Sequence, residues 1–308
     1  MDYVSIRVST LRGDQKIDFD AFVKINDKMV LYLRRGDSFE GDRLKRLKEK
    51  KLKKMFILNN DENMYRDYLH RNIEIAYDNN SGKDITTRAE IVQGQQQSNT
   101  EEVFENPDSV ESYNSAKDAA GKYVDFLMSN AKAFSSVMAV QNSDQNLAHH
   151  GVTVATLSVN LAAKLGITDP KTTQLLTLGA LLHDFGHMHS NAPYQKKIAD
   201  MTKEEYALYL EHPRIGATKV QDKQHFDKPV INIIMQHEEK INATGPLKLK
   251  EKEQDPLAVI VSSCNALDRL ITFEGVEKSA AAKELMINKV GEHPLQHIQF
   301  LAEIMKTT

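Results

Sequence analysis

Hydrophobic positions alternate near the N-terminus and take up helical spacing over most of the remaining chain. Val4, Ile6 and Val8 are separated by polar residues, the pattern of a half-buried strand. Residues 19–25 and 29–33 are further β-rich runs, and Asn26-Asp27 between them predicts a turn. Residues 55–58 read as a buried strand. The run RLKRLKEKKLKKM puts Leu44, Leu47, Leu52 and Met55 near helical spacing, and residues 62–69 predict a second helix. The basic positions of that run are read as the solvated face of an amphipathic helix rather than a phosphate site. Residues 79–108 contain NNSGKD, QGQQQSN and ENPD and predict a linker or loosely packed segment, with the domain boundary at 93–108.

From about residue 109 the pattern is helical. Residues 115–140 form one apolar-rich run, and 144–165 another, stopped by Gly166. Asp169-Pro170 supplies a cap and a first-turn proline for a helix ending at Asp184, with Gly186 as its stop. Thr202 and Glu205 fit a capping box, and Asp227-Lys228-Pro229 and Asp255-Pro256 open two more helices. No strand-rich run follows residue 110. The expected fold class is α+β: a small mixed α/β domain over 1–92, a linker over 93–108, and an all-α helical bundle over 109–308.

Composition narrows the class. The 308 residues suffice for about two domains, and 41% hydrophobic with 27% charged residues excludes collagen-like and largely disordered chains. The net charge of -3 divides into +3 before residue 94 and -6 after it, so general nucleic-acid binding is not expected. No apolar run approaches 18 residues, so no membrane span is expected, and the N-terminus lacks the apolar core of a signal peptide. Cys264, the single cysteine, cannot form an internal disulfide, which predicts a cytoplasmic location.

The candidate chemistry is concentrated in the last 160 residues, which contain ten of the eleven histidines. His150 lies in the 144–165 helix, and His183-Asp184 closes the run LLTLGALLHDFG. His212 precedes Pro213 between two helices. His237 shares an apolar face with Val230, Ile233 and Ile234, and Asn265 and Asp268 are i, i+3 neighbours. One histidine on an apolar face is an ordinary core residue. Five elements delivering histidine or carboxylate into one core would cost several kcal/mol, roughly, if those groups stayed unpaired, and a metal cluster is the simplest compensation. Nitrogen and oxygen ligands without thiolate suit iron, manganese, zinc or nickel, and a carboxylate beside a histidine can bridge two ions.

This ordered set resembles the HD-domain metal phosphohydrolases. The pieces HHGVTV, LLHDFGH, LEHPRIG, QHEEKINATGP and CNALDRL resemble the HD-GYP subgroup over residues 112–305. The resemblance implies a helical bundle that hydrolyses a phosphodiester of cyclic di-GMP, or a related nucleotide, through a metal-bridging hydroxide. It implies two divalent ions, iron first, with manganese, zinc or nickel as alternatives. His150, His183, Asp184, His212 and His237 match ligand positions, with Asp184 as the bridge. Gln236 stands where a further histidine ligand is usual, and Asn265 and Asp268 fall at aspartate positions. Asp184 and His187 take the catalytic roles. His187, which replaces a phosphate-contacting lysine, is grouped with Lys240, Gly245 and Pro246 as substrate-binding. Thr244-Gly245-Pro246 corresponds to the GYP stretch without its tyrosine, Asn146 replaces a glutamate associated with a third metal, and Val259 replaces an arginine. The alternative is a catalytically weak relative that binds metal and acts as a cyclic-dinucleotide sensor or a module for protein signalling partners. Loop 239–255 is read as a lid, the front domain as regulatory or partner-binding, and His149, His189, His225, His293 and His297 as outside the site.

Overall fold

The computed structural model describes residues 2–13, 15–40, 42–50, 52–140 and 145–306. The chain forms two compact units, residues 1–98 and 99–308, and has an α+β fold.

In the first unit, β1 (Tyr3–Arg7), β2 (Ala21–Ile25), β3 (Lys28–Leu33) and β4 (Lys54–Leu58) form an antiparallel sheet of order β1-β4-β2-β3. Asn26 and Asp27 both take positive φ, 47° and 61°, the tight turn whose twist suits a two-residue hairpin between β2 and β3. Ile6 pairs with Met55 in register, and both are buried with Ile57, Phe19 and Tyr68. The basic run yields only a short helix, α1 (Arg43–Glu49). Met55 belongs to β4 instead, because its alternation with Ile57 fills the sheet face, while Lys51 lies outside the described residues. Helix α2 (Glu62–Tyr77) runs eight residues beyond the predicted segment.

Residues 93–105, where composition predicts a linker, form the second half of α3 (Ile85–Glu105). The glutamines are good helix formers, and Ile91, Val92, Val103 and Phe104 are buried, so the segment has apolar anchors that its polar composition hides.

In the second unit, α4 (Val110–Ser129) and α5 (Ala131–Met138) replace the single predicted helix. Asn130 breaks it and caps α5 by accepting the Lys132 N–H. Then come α6 (Leu147–Lys164), α7 (Pro170–Leu182), α8 (Lys203–Val220), α9 (Lys228–Gln236), α10 (Pro256–Thr272), α11 (Lys278–Asn288) and α12 (Leu295–Met305). The predicted α6 start at Asp144 lies outside the described residues; Asn146 caps the helix, accepting the His149 N–H. The Thr202–Glu205 capping box is formed in both directions.

Two boundaries differ in ways that matter for the site. The chain does not stop at Gly186: residues 183–189 continue α7 as a 3-10 turn. Gly186 allows a close approach instead. A Cβ there would overlap the His212 carbonyl oxygen and sit 2.7 Å from its carbon, with Gly216 N at 2.9 Å. His212 is not between helices either, because Pro213 sits inside α8. The proline is tolerated since its ring removes one helical N–H, and the carbonyl left free finds another donor.

Candidate metal centre

The freed carbonyl belongs to Tyr209, four residues before Pro213, and it accepts the Nδ1–H of His212 at 2.5 Å. The same device recurs at two helix ends, where carbonyls lack intrahelical donors. His183 Nδ1 donates to Ala180 O in the last turn of α7 (2.7 Å), and His237 Nδ1 donates to Ile234 O in the last turn of α9 (3.0 Å). His150, inside α6, donates Nδ1–H to Asp268 Oδ2 at 2.6 Å, and Asp268 also accepts from Thr272 Oγ1 at 3.0 Å. All four acceptors lack protons, so each Nδ1 carries the hydrogen and each Nε2 faces inward.

The four Nε2 atoms converge on Asp184. Its Oδ2 lies 3.5 Å from His183 Nε2 and 3.6 Å from His150 Nε2. Its Oδ1 lies 3.2 Å from His212 Nε2 and 3.5 Å from His237 Nε2. One carboxylate thus presents each oxygen to a separate histidine pair. These residues are all buried.

Electrostatics favours a cation here. His212 Nε2 and His237 Nε2 face each other at 2.9 Å, and His183 Nε2 has no hydrogen-bond partner. In the neutral tautomers these are opposed lone pairs, a repulsion that a positive ion between them removes. Burial pulls the His183 imidazole down to about 3, so it stays neutral. Burial also opposes a charge on Asp184, but the surrounding histidines overcome it and hold the carboxyl well below its ordinary value. His150 is opposed by burial too, yet Asp268 raises its pKa. The nitrogen and carboxylate donors fit a divalent metal, and the residues that would hold it are His150, His183, Asp184, His212 and His237.

The other predicted residues divide. Asn265 Oδ1 lies 3.0 Å from His150 Nε2, while its Nδ2 donates to Glu238 Oε1 at 3.1 Å, which fixes the amide orientation. Asp268 does not face the cluster interior; it holds the far side of the His150 ring. Gln236 turns away, and its Oε1 caps α10 by accepting the Asp255 N–H at 2.7 Å. His187 is buried beside the cluster, with Nε2 3.8 Å from Asp184 Oδ1 and its ring stacked on His212 at 3.7 Å. Burial lowers its pKa well below the ordinary value.

Lys240, Gly245 and Pro246 line a cavity of about 590 Å³ that reaches His237, Glu238 and Asn265. Loop 239–255 over this cavity is stitched down. Buried Glu239 accepts the backbone N–H groups of Leu247 (2.6 Å) and Leu249 (2.8 Å), and a Cβ on Gly245 would sit 2.6 Å from Glu239 Cα. Two of the cations at the cavity wall are engaged: Lys240 with Glu292 at 2.8 Å, Arg269 with Glu274 at 3.6 Å. His149, His225 and His297 bond elsewhere, to Val140 O, Pro107 O and Ser263, and His293 lies on the cavity wall. Sequence reasoning passed over Glu238, Tyr209 and Arg269. Tyr209 donates to Glu238 Oε1 at 2.5 Å, and the Arg269 guanidinium lies 4.6 Å from the Tyr209 ring centre. Glu238 alone had a signal, its position directly after His237.

Comparison with known proteins places this chain in a family. The HD domain family matches residues 147–270. A cyclic di-GMP phosphodiesterase of Pseudomonas aeruginosa, PA4108, is 28% identical over 159 residues, 51% of this chain and 38% of that protein. A cyclic di-GMP phosphodiesterase of Borreliella burgdorferi, PdeB, is 25% identical over 131 residues, 42% of this chain and 34% of that one. The chain thus matches little more than a third of the length of either. The solved structure of Bd1817, an HD-GYP protein from Bdellovibrio bacteriovorus, is 70% identical with a TM-score of 0.95, covering 99% of this chain and 100% of that one. With the whole of both chains aligned at that identity, and the histidine-aspartate cluster on the helices the family match spans, this chain belongs to the HD-GYP proteins.

Proposed function

We propose that this protein is a metal-dependent phosphodiesterase holding two divalent ions and hydrolysing a cyclic dinucleotide, cyclic di-GMP or a related molecule, in the cytoplasm. The observation that carries the reading is Asp184, whose two oxygens face different histidine pairs at 3.2–3.6 Å. When bound, two ions supply Lewis acidity toward a phosphoryl oxygen and a lowered pKa for water, with iron first and manganese, zinc or nickel as alternatives. His150, His183, His212 and His237 turn their Nε2 atoms toward Asp184, which supplies the shared carboxylate, and Asn265 adds an amide oxygen on the His150 side. His187, buried with its Nε2 3.8 Å from Asp184 Oδ1, would hydrogen-bond a substrate oxygen or protonate near the leaving group. Lys240, Gly245 and Pro246 border the space a nucleotide would occupy.

A second reading, a weakly active metal-binding sensor of cyclic dinucleotides with protein signalling partners, is favoured by one observation. Lys240 and Arg269, cations at the cavity wall, already neutralise Glu292 and Glu274, leaving them less free to grip two phosphates. Metal analysis and turnover separate the readings. The purified chain is expected to hold about two ions, lose them to a chelator, and when reloaded convert cyclic di-GMP to a linear product that chromatography resolves. Metal and nucleotide binding without turnover would favour the sensor, and a chain that takes up no metal would sink both. The mixed α/β front domain is proposed to be regulatory.

A further inference from the structure

We infer that Glu238 supplies a carboxylate oxygen to the ion held by His212 and His237. The inference rests on the metal reading above. The two sides of Asp184 are unequally furnished. Beside His150 and His183 lies the Asn265 oxygen, 3.0 Å from His150 Nε2. Beside His212 and His237 the expected extra donor, Gln236, is committed to the Asp255 N–H and faces away. Glu238 occupies that side instead: one of its oxygens lies within 4.8 Å of ligand atoms of both His212 and His237. Ligand atoms around a first-row ion at about 2.0–2.2 Å span at most roughly 4 Å, so a small side-chain adjustment closes the set.

The hydrogen bonds point the same way. Tyr209 Oη and Asn265 Nδ2 both donate to Oε1, at 2.5 and 3.1 Å, so both donors fall on one oxygen of the carboxylate. Ligating carboxylates are held by such hydrogen bonds, and with both donors on Oε1 the second oxygen is left for an ion. The rival on this side, His187, groups with Asp184 and His212, but its Nδ1 has no acceptor to orient the ring, unlike the four converging imidazoles. Asn265 then serves both sides, its oxygen toward His150 and its amide hydrogens toward Glu238. A second carboxylate also brings the cluster nearer the charge of two divalent ions.

The test is Mn²⁺ uptake by the full, metal-stripped chain, counted by electron paramagnetic resonance and elemental analysis, with circular dichroism as the folding control. The wild type is expected to take two ions. Glu238→Gln, which can still accept from Tyr209, is expected to take one, or to bind the second more than about 100-fold more weakly, beyond the 10- to 100-fold that losing an outer partner costs. Gln236→Ala and Tyr209→Phe are expected to keep both. Two tightly held ions in Glu238→Gln would overturn the inference, as would loss of an ion in Tyr209→Phe, which would make the hydrogen-bond network the cause. A wild type that takes one ion overturns this inference and leaves a one-metal centre, whereas no uptake at all refutes the metal reading itself. Should Glu238→Gln fail to fold, anomalous diffraction from metal-soaked wild-type crystals decides: a Glu238 oxygen at about 2.0–2.2 Å from an ion supports the assignment, and one beyond about 3 Å refutes it.

Discussion

Substituting alanine for Gly186 tests how the 3-10 turn is seated against α8. The added methyl would overlap the His212 carbonyl oxygen and lie 2.7 Å from its carbon and 2.9 Å from Gly216 N. Ordinary contacts need about 3.5 Å, so relieving the overlap with the carbonyl oxygen requires a retreat of roughly 1.5 Å or more. All the atoms it meets are backbone, and rotamer changes cannot relieve the overlap. Overpacking costs about 1–3 kcal/mol, and a methyl against backbone belongs at the upper end, near 3 kcal/mol. For the second unit, residues 99–308, that is a fall in melting temperature of roughly 6–12 °C. The same retreat moves Asp184 Oδ1 away from His212 Nε2, now 3.2 Å distant, so metal affinity should fall as well. Gly121→Ala in α4 is the control: its new methyl meets only the flexible Gln174 amide at 3.1 Å, and the change should lie within about 1 kcal/mol of wild type. Calorimetric unfolding of the metal-free protein, with metal titration of both variants, measures this. A Gly186→Ala protein as stable as Gly121→Ala, with unchanged metal binding, would refute the close-approach argument.

Three further outcomes follow from the same geometry. Asp268→Asn should weaken metal binding by roughly 10- to 100-fold, because the acceptor that sets the His150 tautomer is lost, and calorimetric titration reads it directly. Glu239→Gln leaves one of the Leu247 and Leu249 N–H groups without its carboxylate, costing about 1–3 kcal/mol, and faster hydrogen exchange at those two amides is the check. Burial lowers the His293 and His297 pKa values to about 4, whereas the unfolded chain titrates near 6.5. The unfolded state therefore binds more protons between those values. Stability is full above about pH 6.5 and falls toward pH 4, by about 1.4 kcal/mol per pH unit for each group. His297→Gln should reduce that slope by one group's share in denaturant unfolding at several pH values; an unchanged slope would rule the group out.

Much of the local structure was legible in the residues. Alternation at Val4 and Ile6, the Asn26-Asp27 turn, the Asp169-Pro170 helix start and the Thr202–Glu205 box depend on near neighbours, and each forms as read. The convergence of His150, His183, Asp184, His212 and His237 was legible too, because several helices each delivering a histidine or carboxylate into one core leave few explanations. The sequence could not say that 93–105 is helical, since the apolar residues anchoring α3 are sparse in a polar background. Nor could it place Pro213 inside α8, because a proline reads as a break until the carbonyl it frees is seen to hold His212.

Tertiary packing alone decided which way Asn265, Asp268, Gln236 and Glu238 point. Asn265 and Asp268 sit one turn apart on α10 with equal claims by spacing. The amide turns toward the cluster because Glu238 accepts its N–H, and the carboxylate turns to the back of His150. Gln236 and Glu238 flank His237, and the open N-terminus of α10 draws the glutamine away. Spacing along one chain fixes which residues share an element and a face. Carbonyls three residues back orient His183, His212 and His237, but the directions of His150, Gln236 and Asn265 are set by groups 19 to 118 residues distant, which meet only once the helices have packed.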